Sequence, residues 1–552
     1  MKYPSHPTAQ TVVALCKHFK INTVVISPGS RNAPLIIGFT EDAFFKSYSV
    51  VDERSAAFFA LGIAQQIRKP VALVCTSGSA ILNYYPAIAE AFYSDIPLVV
   101  LSADRPPELL DIGDGQTIRQ EEVLQNHTAF FGSLAEGHDA QTRNITVLQH
   151  GLRKAIESNS PVHFNIPFTE PLYNTVSKPF KLSLPDLFPH SSVKVNLPDS
   201  FLLKWKASKR KMILVGSSPP SAIPTTLWDL IIKDPSVIVL TESTANTHHP
   251  DIIWGIDTLI THLTDAETAL LRPEVLVTFG GMLVSKRIKA LLRANPPDYH
   301  LHVDSKKAYN TFFCLTAHHQ TEAKIFLKQL PKVPTHSNYK TQAQSLWKKR
   351  LDARASFIEQ LPYSDLAVHA AIYSAMPEAV QLQLSNSTAI RYNQLFKMPK
   401  LTAVFCNRGT SGIDGSTSTA VGAALVNSGQ TLLITGDLSF FYDSNAFWNK
   451  MLSPKLKIIV INNNGGGIFR ILPQTKAVTH FKEFLETTHN LTALNLCAMY
   501  GVAYKQVTSP DTLEPQLDWL FNQQTTALLE VITPSTQNDK ILKAYFNTVC
   551  GS

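Results

Sequence analysis

Between Gly436 and Phe469 the chain carries residue types that, at their spacing, suit a metal-bound diphosphate. An apolar run, Thr431 to Thr435, ends in Gly436-Asp437-Leu438-Ser439; a second, Leu456 to Ile461, ends in Asn462-Asn463-Asn464-Gly465-Gly466-Gly467. The pattern predicts strand, helix, strand, with the helix over Asn445 to Met451. Ligands of an open parallel sheet sit beyond the carboxyl ends of its strands. Asp437 and the Asn/Gly run should therefore face one crevice although 26 positions separate Asp437 from Asn463. A carboxylate, an amide oxygen and a freed main-chain carbonyl are the hard oxygen ligands Mg²⁺ prefers, with phosphate oxygens and water completing its shell. Either half alone reads as an ordinary turn or flexible loop. Together, at two strand ends, they are far more specific.

Further polar clusters sit at other predicted strand ends. Asn22 to Ser27 leads into Pro28-Gly29-Ser30-Arg31, where main-chain N–H groups and a guanidinium are free to hold an anion; an ordinary turn with a surface arginine fits the same residues. Tyr48 to Val51 leads into Asp52-Glu53-Arg54-Ser55, opening a helix over Ala56 to Ala64 that is apolar nearly all round and so expected to be buried. Burial raises a glutamate pKa while the positive helix end lowers it. Glu53 is thus poised to share a proton with a ligand nitrogen, unless it is simply the helix cap. Val71 to Cys75 ends in Thr76-Ser77-Gly78, and Pro97 to Ser102 runs toward Arg105 and a loop carrying Gln116. Later, Ser387 and Arg391 follow a strand end at Leu384. Val404 to Cys406 runs into Asn407-Arg408-Gly409-Thr410-Ser411-Gly412-Ile413, small residues that let a backbone approach a ligand closely. The pairs His248-His249 and His318-His319 lack the i, i+4 spacing and carboxylate support of a metal site and are expected to be surface or loop histidines.

Strands alternating with helices at this spacing predict an α/β protein whose parallel sheets carry helices on both faces. At 552 residues the chain is too long for one core. Three domains are expected: 1–176, a central α/β unit over 200–330, and 346–552, joined by a Pro/Ser/Leu-rich link over 178–198 and a polar link over 330–345. The central Gly280-Gly281-Met282-Leu283-Val284-Ser285-Lys286-Arg287 repeats strand, glycine turn, helix, but lacks Gly-x-Gly-x-x-Gly, which argues against a dinucleotide. A hydrophobic fraction of 44% with 17% charged residues describes an ordinary soluble globular protein. The net charge of +7, without a Lys/Arg-rich run interleaved with aromatics, suits small anions and not nucleic acid. Six scattered cysteines argue against zinc, iron–sulfur and a disulfide framework. A polar N-terminus and the lack of a long apolar stretch point to the cytoplasm without stable membrane insertion.

Ser-Pro-Gly-Ser-Arg at 27–31, Asp-Glu-Arg-Ser-Ala-Ala at 52–57, Asp-Arg-Pro-Pro-Glu-Leu at 104–109, Ser-Lys-Arg at 285–287, Asn-Arg-Gly-Thr-Ser-Gly-Ile-Asp-Gly at 407–415, Gly-Asp-Leu-Ser at 436–439 and Asn-Asn-Asn-Gly-Gly-Gly-Ile-Phe at 462–469 span the chain. Together they resemble the menaquinone-pathway branch of the thiamine-diphosphate enzymes. The general motif of that class has a second glycine where Leu438 stands, and a leucine there is usual in this branch. The resemblance implies three doubly wound parallel-sheet domains, the first binding the cofactor's pyrimidine and the last its diphosphate and metal. It also implies a transferase (carboligase) that uses thiamine diphosphate and Mg²⁺ or Mn²⁺ to decarboxylate 2-oxoglutarate and add the succinyl-semialdehyde carbanion to isochorismate.

Carried over by motif, Asp437, Asn463 and the carbonyl of Gly465 bind the metal, and Glu53 bonds the pyrimidine N1′. Thr76, Ser77, Gly78, Arg408, Gly409, Ser411, Gly412, Ile413, Gly436, Leu438, Ser439, Gly466, Ile468 and Phe469 surround the cofactor. Ser30, Arg31, Arg105, Gln116, Lys286, Arg287, Ser387, Arg391, Arg408 and Phe469 take the substrates, with Glu53, Arg31, Ser387 and Arg391 in catalytic roles. Each substrate carries two carboxylates, so a set of arginine and lysine clamps has chemical sense. Family architecture puts the cofactor between the first domain of one subunit and the last of another, in a homodimer or homotetramer. The near alternative is another thiamine-diphosphate 2-oxoacid decarboxylase or acyloin synthase; the distant one is a non-catalytic diphosphate-binding regulator.

Overall fold

The computed structural model describes residues 2–184, 196–472 and 475–550, and in it three six-stranded sheets follow one another along the chain. Each is parallel throughout. Strands such as Val71–Cys75, Leu98–Asp104 and Leu456–Asn462 are buried at every position. That is what a parallel sheet covered by helices on both faces requires, and it is why these strands read as unbroken apolar runs.

The first sheet stands in the spatial order Lys46–Ser49, Thr23–Ile26, Val71–Cys75, Leu98–Asp104, Val162–Pro167, Phe130–Ser133. The third stands in the order Ala403–Cys406, Gln381–Leu384, Thr431–Gly436, Leu456–Asn462, Ala527–Ile532, Ala503–Val507. In chain order both read second, first, third, fourth, sixth, fifth. The two outer units therefore share one topology. In each, the order reverses between the first strand and the third, the switch point outside which ligands of open α/β sheets bind.

The central sheet reads Ile253–Trp254, Val237–Thr241, Lys211–Val215, Val275–Phe279, Tyr299–Val303, Ala317–His319. This is the dinucleotide-binding order, but without the glycine fingerprint. Beside its switch point the first domain borders the crevice through Tyr93 and Asp95, and Asp95 accepts from Lys306 Nζ at 2.5 Å and Lys307 Nζ at 3.0 Å.

Three expectations need correction. The helix after the strand Thr431–Gly436 starts at once, as Asp437–Tyr442, followed by a short 3₁₀ turn Ser444–Phe447; the expected helix over Asn445 to Met451 is replaced by these. The side chain of Asn445 is drawn instead to Asp52, 2.7 Å away in the first domain. The polar link over 330–345 gives way at residue 339 to a helix, Tyr339–Glu359. Its Tyr339, Ala343 and Trp347 pack in the central core, while Arg350 Nη1 donates to the carbonyls of Thr258 and Thr261 and Nη2 to that of Cys550. One element thus runs across position 346. His318 and His319 lie in a strand, and His319 is buried. Of the expected link over 178–198, residues 185–195 lie outside the described residues.

The outer domains meet within the chain along two helices, Glu53–Ile67 and Ser416–Val426. Their small faces let backbone touch backbone: a Cβ on Gly62 would fall 2.0 Å from the carbonyl oxygen of Thr419, and one on Gly422 2.0 Å from that of Phe59. Among the described residues no helix is long and apolar enough to cross a membrane, and all six cysteines are free thiols.

Candidate active site

The strands Thr431–Gly436 and Leu456–Asn462 are neighbours in register, Gly436 opposite Ile461, so Asp437 and Asn463 emerge side by side at the carboxyl edge. Both are buried. Asp437 Oδ1 accepts from Leu438 N at 2.7 Å and Oδ2 from Gly465 N at 2.9 Å, while His489 Nε2 stands 3.4 Å from Oδ2. The loop turns through positive φ at Asn464 (62°) and Gly465 (146°). A Cβ on Gly465 would meet the carbonyl oxygen of Glu486 at 2.7 Å, so glycine is required there for space as well as conformation.

The orientation of the Asn463 amide is set by a residue the sequence did not single out. Asp365 Oδ2 accepts from Asn463 Nδ2 at 2.9 Å, and Asp365 Oδ1 accepts from Thr533 Oγ1 at 2.6 Å. Asn463 Oδ1 is left buried without a hydrogen-bond partner. A buried amide oxygen without a partner is costly, and a cation beside Asp437 would satisfy it. Burial pushes the Asp365 carboxyl up to about 6, with Asp437 nearby adding to the rise. The donor set of one carboxylate, one oriented amide oxygen and a main-chain carbonyl therefore fits Mg²⁺ or Mn²⁺. Gly465 O also accepts from Gly467 N at 3.0 Å, leaving its second lone pair for a metal.

The loops around this edge are cross-tied. Asn386 Nδ2 donates to the carbonyls of Asn407 and Gly412, both at 2.7 Å, and its Oδ1 accepts from Arg408 Nη1 at 2.6 Å. Ser439 Oγ donates to Ile413 O at 2.7 Å, and Ser411 Oγ to Arg408 O at 3.3 Å. Glu90, buried on the first domain's helix Ala80–Tyr93, accepts from Gly409 N at 2.8 Å and Thr410 N at 2.6 Å. The amide of Gly409, a residue that the family resemblance places beside the cofactor, is thus engaged by a carboxylate. Gly436 borders open space, and Leu438 and Gly466 line the same edge. Ile468 and Phe469 open the short helix Ile468–Ile471, both half-buried.

In the first domain Asp52 caps the helix Glu53–Ile67, its side chain accepting from Ser55 N at 3.0 Å. Capping is therefore done by Asp52, and the Glu53 carboxyl is left for other work. Glu53 is half-buried, and burial pushes its pKa up against the pull of its own backbone amide, with Asp52 adding to the rise. Close by, the loop Thr76 to Gly78 is bound to Gln116: Ser77 Oγ donates to Gln116 O at 3.0 Å and Gln116 Nε2 to Ser77 O at 3.2 Å. Gly78, with φ of 87°, donates its amide to Gln120 Oε1 at 2.8 Å.

The cations gather in separate groups. Arg31 is 4% exposed; its Nη1 donates to Phe168 O at 2.7 Å, its Nη2 to Glu170 Oε1 at 3.3 Å, and its backbone N to Thr76 Oγ1 at 3.2 Å. Arg105 Nη1 approaches the same Glu170 oxygen at 3.9 Å, so two guanidiniums converge on one carboxylate. Ser30 Oγ bonds Tyr173 OH at 2.7 Å. In the third domain Ser387, at φ of 71°, begins the helix Thr388–Asn393 that carries Arg391. A non-glycine residue in that region is strained, and such strain clusters at functional sites. Burial, then the like charge of Arg408, pushes the Arg391 guanidinium down. Lys286 and Arg287 open the helix Lys286–Ala294 and are exposed; Arg287 lies over the Phe546 ring at 4.4 Å. Within one chain no hydrogen bond or ion pair among the described residues joins Glu53 to Asp437 or Asn463.

Glu90, Asp365 and His489 escaped sequence reasoning because each stands alone in its segment; only Asp365, directly after the Ser364 helix cap, gave a local signal.

Two family models match the chain. "Thiamine pyrophosphate enzyme, N-terminal TPP binding domain" covers residues 7–129, and "Thiamine pyrophosphate enzyme, C-terminal TPP binding domain" covers 386–531, so this is an enzyme that depends on thiamine pyrophosphate, another name for the diphosphate. The chain is 48% identical over 552 residues to the 2-succinyl-5-enolpyruvyl-6-hydroxy-3-cyclohexene-1-carboxylate synthase of Flavobacterium psychrophilum, covering 100% of both. It is 48% identical to the synthase of that name from Flavobacterium johnsoniae, covering 99% of each chain, and 37% identical to that of Porphyromonas gingivalis, covering 96% of this chain and 95% of the other. The chain belongs to the 2-succinyl-5-enolpyruvyl-6-hydroxy-3-cyclohexene-1-carboxylate synthase family.

Proposed function

We propose that the enzyme decarboxylates 2-oxoglutarate and adds the resulting succinyl-semialdehyde carbanion to isochorismate, giving 2-succinyl-5-enolpyruvyl-6-hydroxy-3-cyclohexene-1-carboxylate in menaquinone biosynthesis. The full-length match to synthases of that name supports the reaction. The observation from the molecule that carries it is the convergence of Arg31 and Arg105 on a single carboxylate oxygen, that of Glu170. Two guanidiniums converging on one carboxylate make an anion site, which suits substrates bearing two carboxylates each.

Thiamine diphosphate supplies the electron sink that stabilises the carbanion. Asp437, Asn463 and the Gly465 carbonyl hold Mg²⁺ or Mn²⁺, which anchors the diphosphate. Glu53, freed from capping by Asp52 and raised in pKa by burial, holds a proton at the pyrimidine N1′. Thr76, Ser77 and Gly78 border that ring, and the loops bearing Arg408, Ser411, Gly412, Ile413, Gly436, Leu438, Ser439 and Gly466 enclose the cofactor. Ile468 and Phe469 furnish an apolar wall that favours loss of CO₂ from a charged ground state. Arg31, Arg105, Lys286, Arg287, Arg391 and Arg408 clamp the substrate carboxylates, with Ser30, Gln116 and Ser387 as neutral donors. Glu53 of one subunit meets Asp437 of another in a homodimer or a higher assembly, working in the cytoplasm.

The test is 2-oxoglutarate consumption by the purified protein with thiamine diphosphate, Mg²⁺ and isochorismate each supplied or omitted. Rapid consumption only when all three are present is expected. Comparable turnover of pyruvate alone would move the reading to a general acyloin synthase.

A further inference from the structure

Five residues at the end of one central strand connect two of the three domains that carry the proposed carboxylate-binding cations. The strand Val237–Thr241 runs into Glu242, which is 3% exposed. Glu242 Oε2 accepts from Val284 N and Oε1 from Ser285 N, both at 2.7 Å, so one carboxylate takes the two amides immediately before Lys286 and Arg287. Ser285 in turn caps their helix: its hydroxyl accepts from Ile288 N at 3.1 Å and donates to Asp257. Lys289 Nζ closes the loop from the other side by donating to Leu283 O at 2.9 Å. Leu283, Val284 and Ser285 are each fixed, and Lys286 and Arg287 inherit their placement.

The next residues grip the third domain. Ser243 N donates to Gln394 Oε1 at 3.1 Å; its hydroxyl accepts from Gln394 Nε2 at 2.7 Å and donates to Asn393. Asn393 ends the helix that carries Arg391, and Gln394 follows it. Asn246 exchanges two hydrogen bonds with Val404, Nδ2 to O at 2.9 Å and N to Oδ1 at 2.7 Å, on the strand leading to Arg408.

We propose that Glu242 is a positioning residue that, through the segment Glu242 to Asn246, holds Lys286 and Arg287 of the central domain in register with Arg391 and Arg408 of the third. The inference rests on the reading of those cations as substrate-carboxylate ligands. Glu242 touches no substrate in this scheme and acts only through the loop it holds.

The bland alternative is a buried counter-charge for the arginines, and pH separates the two. Burial pushes Glu242 up to about 7; Asp257 adds to the rise, and the two amides and Arg408 oppose it. Lys289 and Arg391 also sense its charge, and His248, Lys397 and Lys400 line, with Glu242, a cleft of about 320 Å³. Above about pH 7 the ionised carboxylate accepts from both amides. Below it the protonated group turns an O–H toward one N–H and gives up one of the two bonds. Positioning therefore makes substrate affinity fall as pH drops through about 7. A counter-charge predicts the reverse, because neutral Glu242 leaves the arginines less compensated and more attractive to anions.

Steady-state kinetics on enzyme loaded with thiamine diphosphate and Mg²⁺, from about pH 6 to about pH 8, compare the wild type with Glu242→Gln and Ser243→Ala. For Glu242→Gln we expect KM for 2-oxoglutarate or isochorismate to rise about tenfold, equivalent to ~1.4 kcal/mol. We expect kcat to stay within about threefold, thiamine diphosphate affinity to be unchanged by calorimetry, and the acid limb in KM to disappear. Ser243→Ala should raise KM in the same direction and keep the wild-type pH limb, and it carries the test alone if Glu242→Gln fails to fold. Unchanged KM in both variants, or a lower KM in Glu242→Gln, overturns the proposal. Lys286→Ala and Arg391→Ala serve as reference. If neither alters KM, the carboxylate reading itself falls and takes this inference with it; if both do while Glu242→Gln and Ser243→Ala do not, only this inference falls.

Discussion

Asp437 read alone is an ordinary turn residue, and it becomes a proposed ligand only when paired with the Asn/Gly run at the neighbouring strand end, where its carboxylate is buried. Asn463 needs more: an asparagine in a run of three is ambiguous until its amide has a direction. That direction comes from Asp365, 98 positions earlier, whose carboxylate takes the NH₂ and leaves the oxygen buried and unpaired. Removing a partner that orients a metal ligand costs roughly 10- to 100-fold in affinity. Asp365→Ala should therefore weaken Mg²⁺ binding in the presence of thiamine diphosphate by about that factor, read by calorimetric titration and not by turnover. Affinity within about twofold of wild type would show that the amide holds its orientation without help. Glu53 teaches the same lesson in reverse: sequence left open whether it caps the helix, and the hydrogen bond from Ser55 N to Asp52 answers it.

The elements that matter are two helices and two strand ends. Strand ends were legible because buried parallel strands are unbroken apolar runs and their carboxyl ends turn abruptly polar. Helices placed by polarity alone were less secure: the helix after Gly436 begins at Asp437, and its neighbour Asn445 is spent on a contact with Asp52. The helices Glu53–Ile67 and Ser416–Val426 cross so closely that Gly62 opposes the backbone carbonyl of Thr419 and Gly422 that of Phe59. Backbone cannot retreat as a side chain can, so overpacking here is costly. Gly62→Ala and Gly422→Ala should each destabilise by ~1–3 kcal/mol in denaturant titration, whereas Gly115→Ala, where a Cβ meets nothing within 4 Å, should be near neutral. Equal effects at all three sites would mean that close approach is not what the two glycines provide. This crossing also fixes the end of the helix that presents Glu53, so a loss of packing should reach the cofactor site.

At the scale of the whole molecule, the first and third domains repeat one strand order, and the central domain keeps another, with Asp95 of the first domain bonded to Lys306 and Lys307 beside its switch point. Within one chain the first and third domains touch through Asn445 on Asp52 and through Gly409 and Thr410 on Glu90, while the proposed site pairs Glu53 of one subunit with Asp437 of another. That arrangement has a specific consequence. Glu53→Gln and Asp437→Ala subunits, each inactive alone, should regain activity when unfolded together and refolded, because the mixed dimer contains one site with both residues intact. Random pairing gives half mixed dimers with one good site in two, so about a quarter of wild-type activity is expected. Recovery of nothing, with mixed dimers demonstrated by native mass spectrometry, would place both residues of each site in the same subunit.

From its residues alone the chain declared a parallel α/β protein, the Asp437 and Asn463 pairing, the Glu53 helix and the cationic character of its ligand sites, since hydrophobic period and strand-end chemistry are local properties. The resemblance of its motifs named the branch. Only tertiary structure decided how Asn463 points, that Asp52 and not Glu53 caps the helix, that Glu90 engages the Gly409 amide and that Glu242 joins two domains. Each depends on a partner from 3 to more than 300 positions away, meeting it at hydrogen-bond distance. A sequence pattern fixes which groups a segment offers, and hydrogen-bond geometry, which needs both partners in space, fixes which of them are already taken.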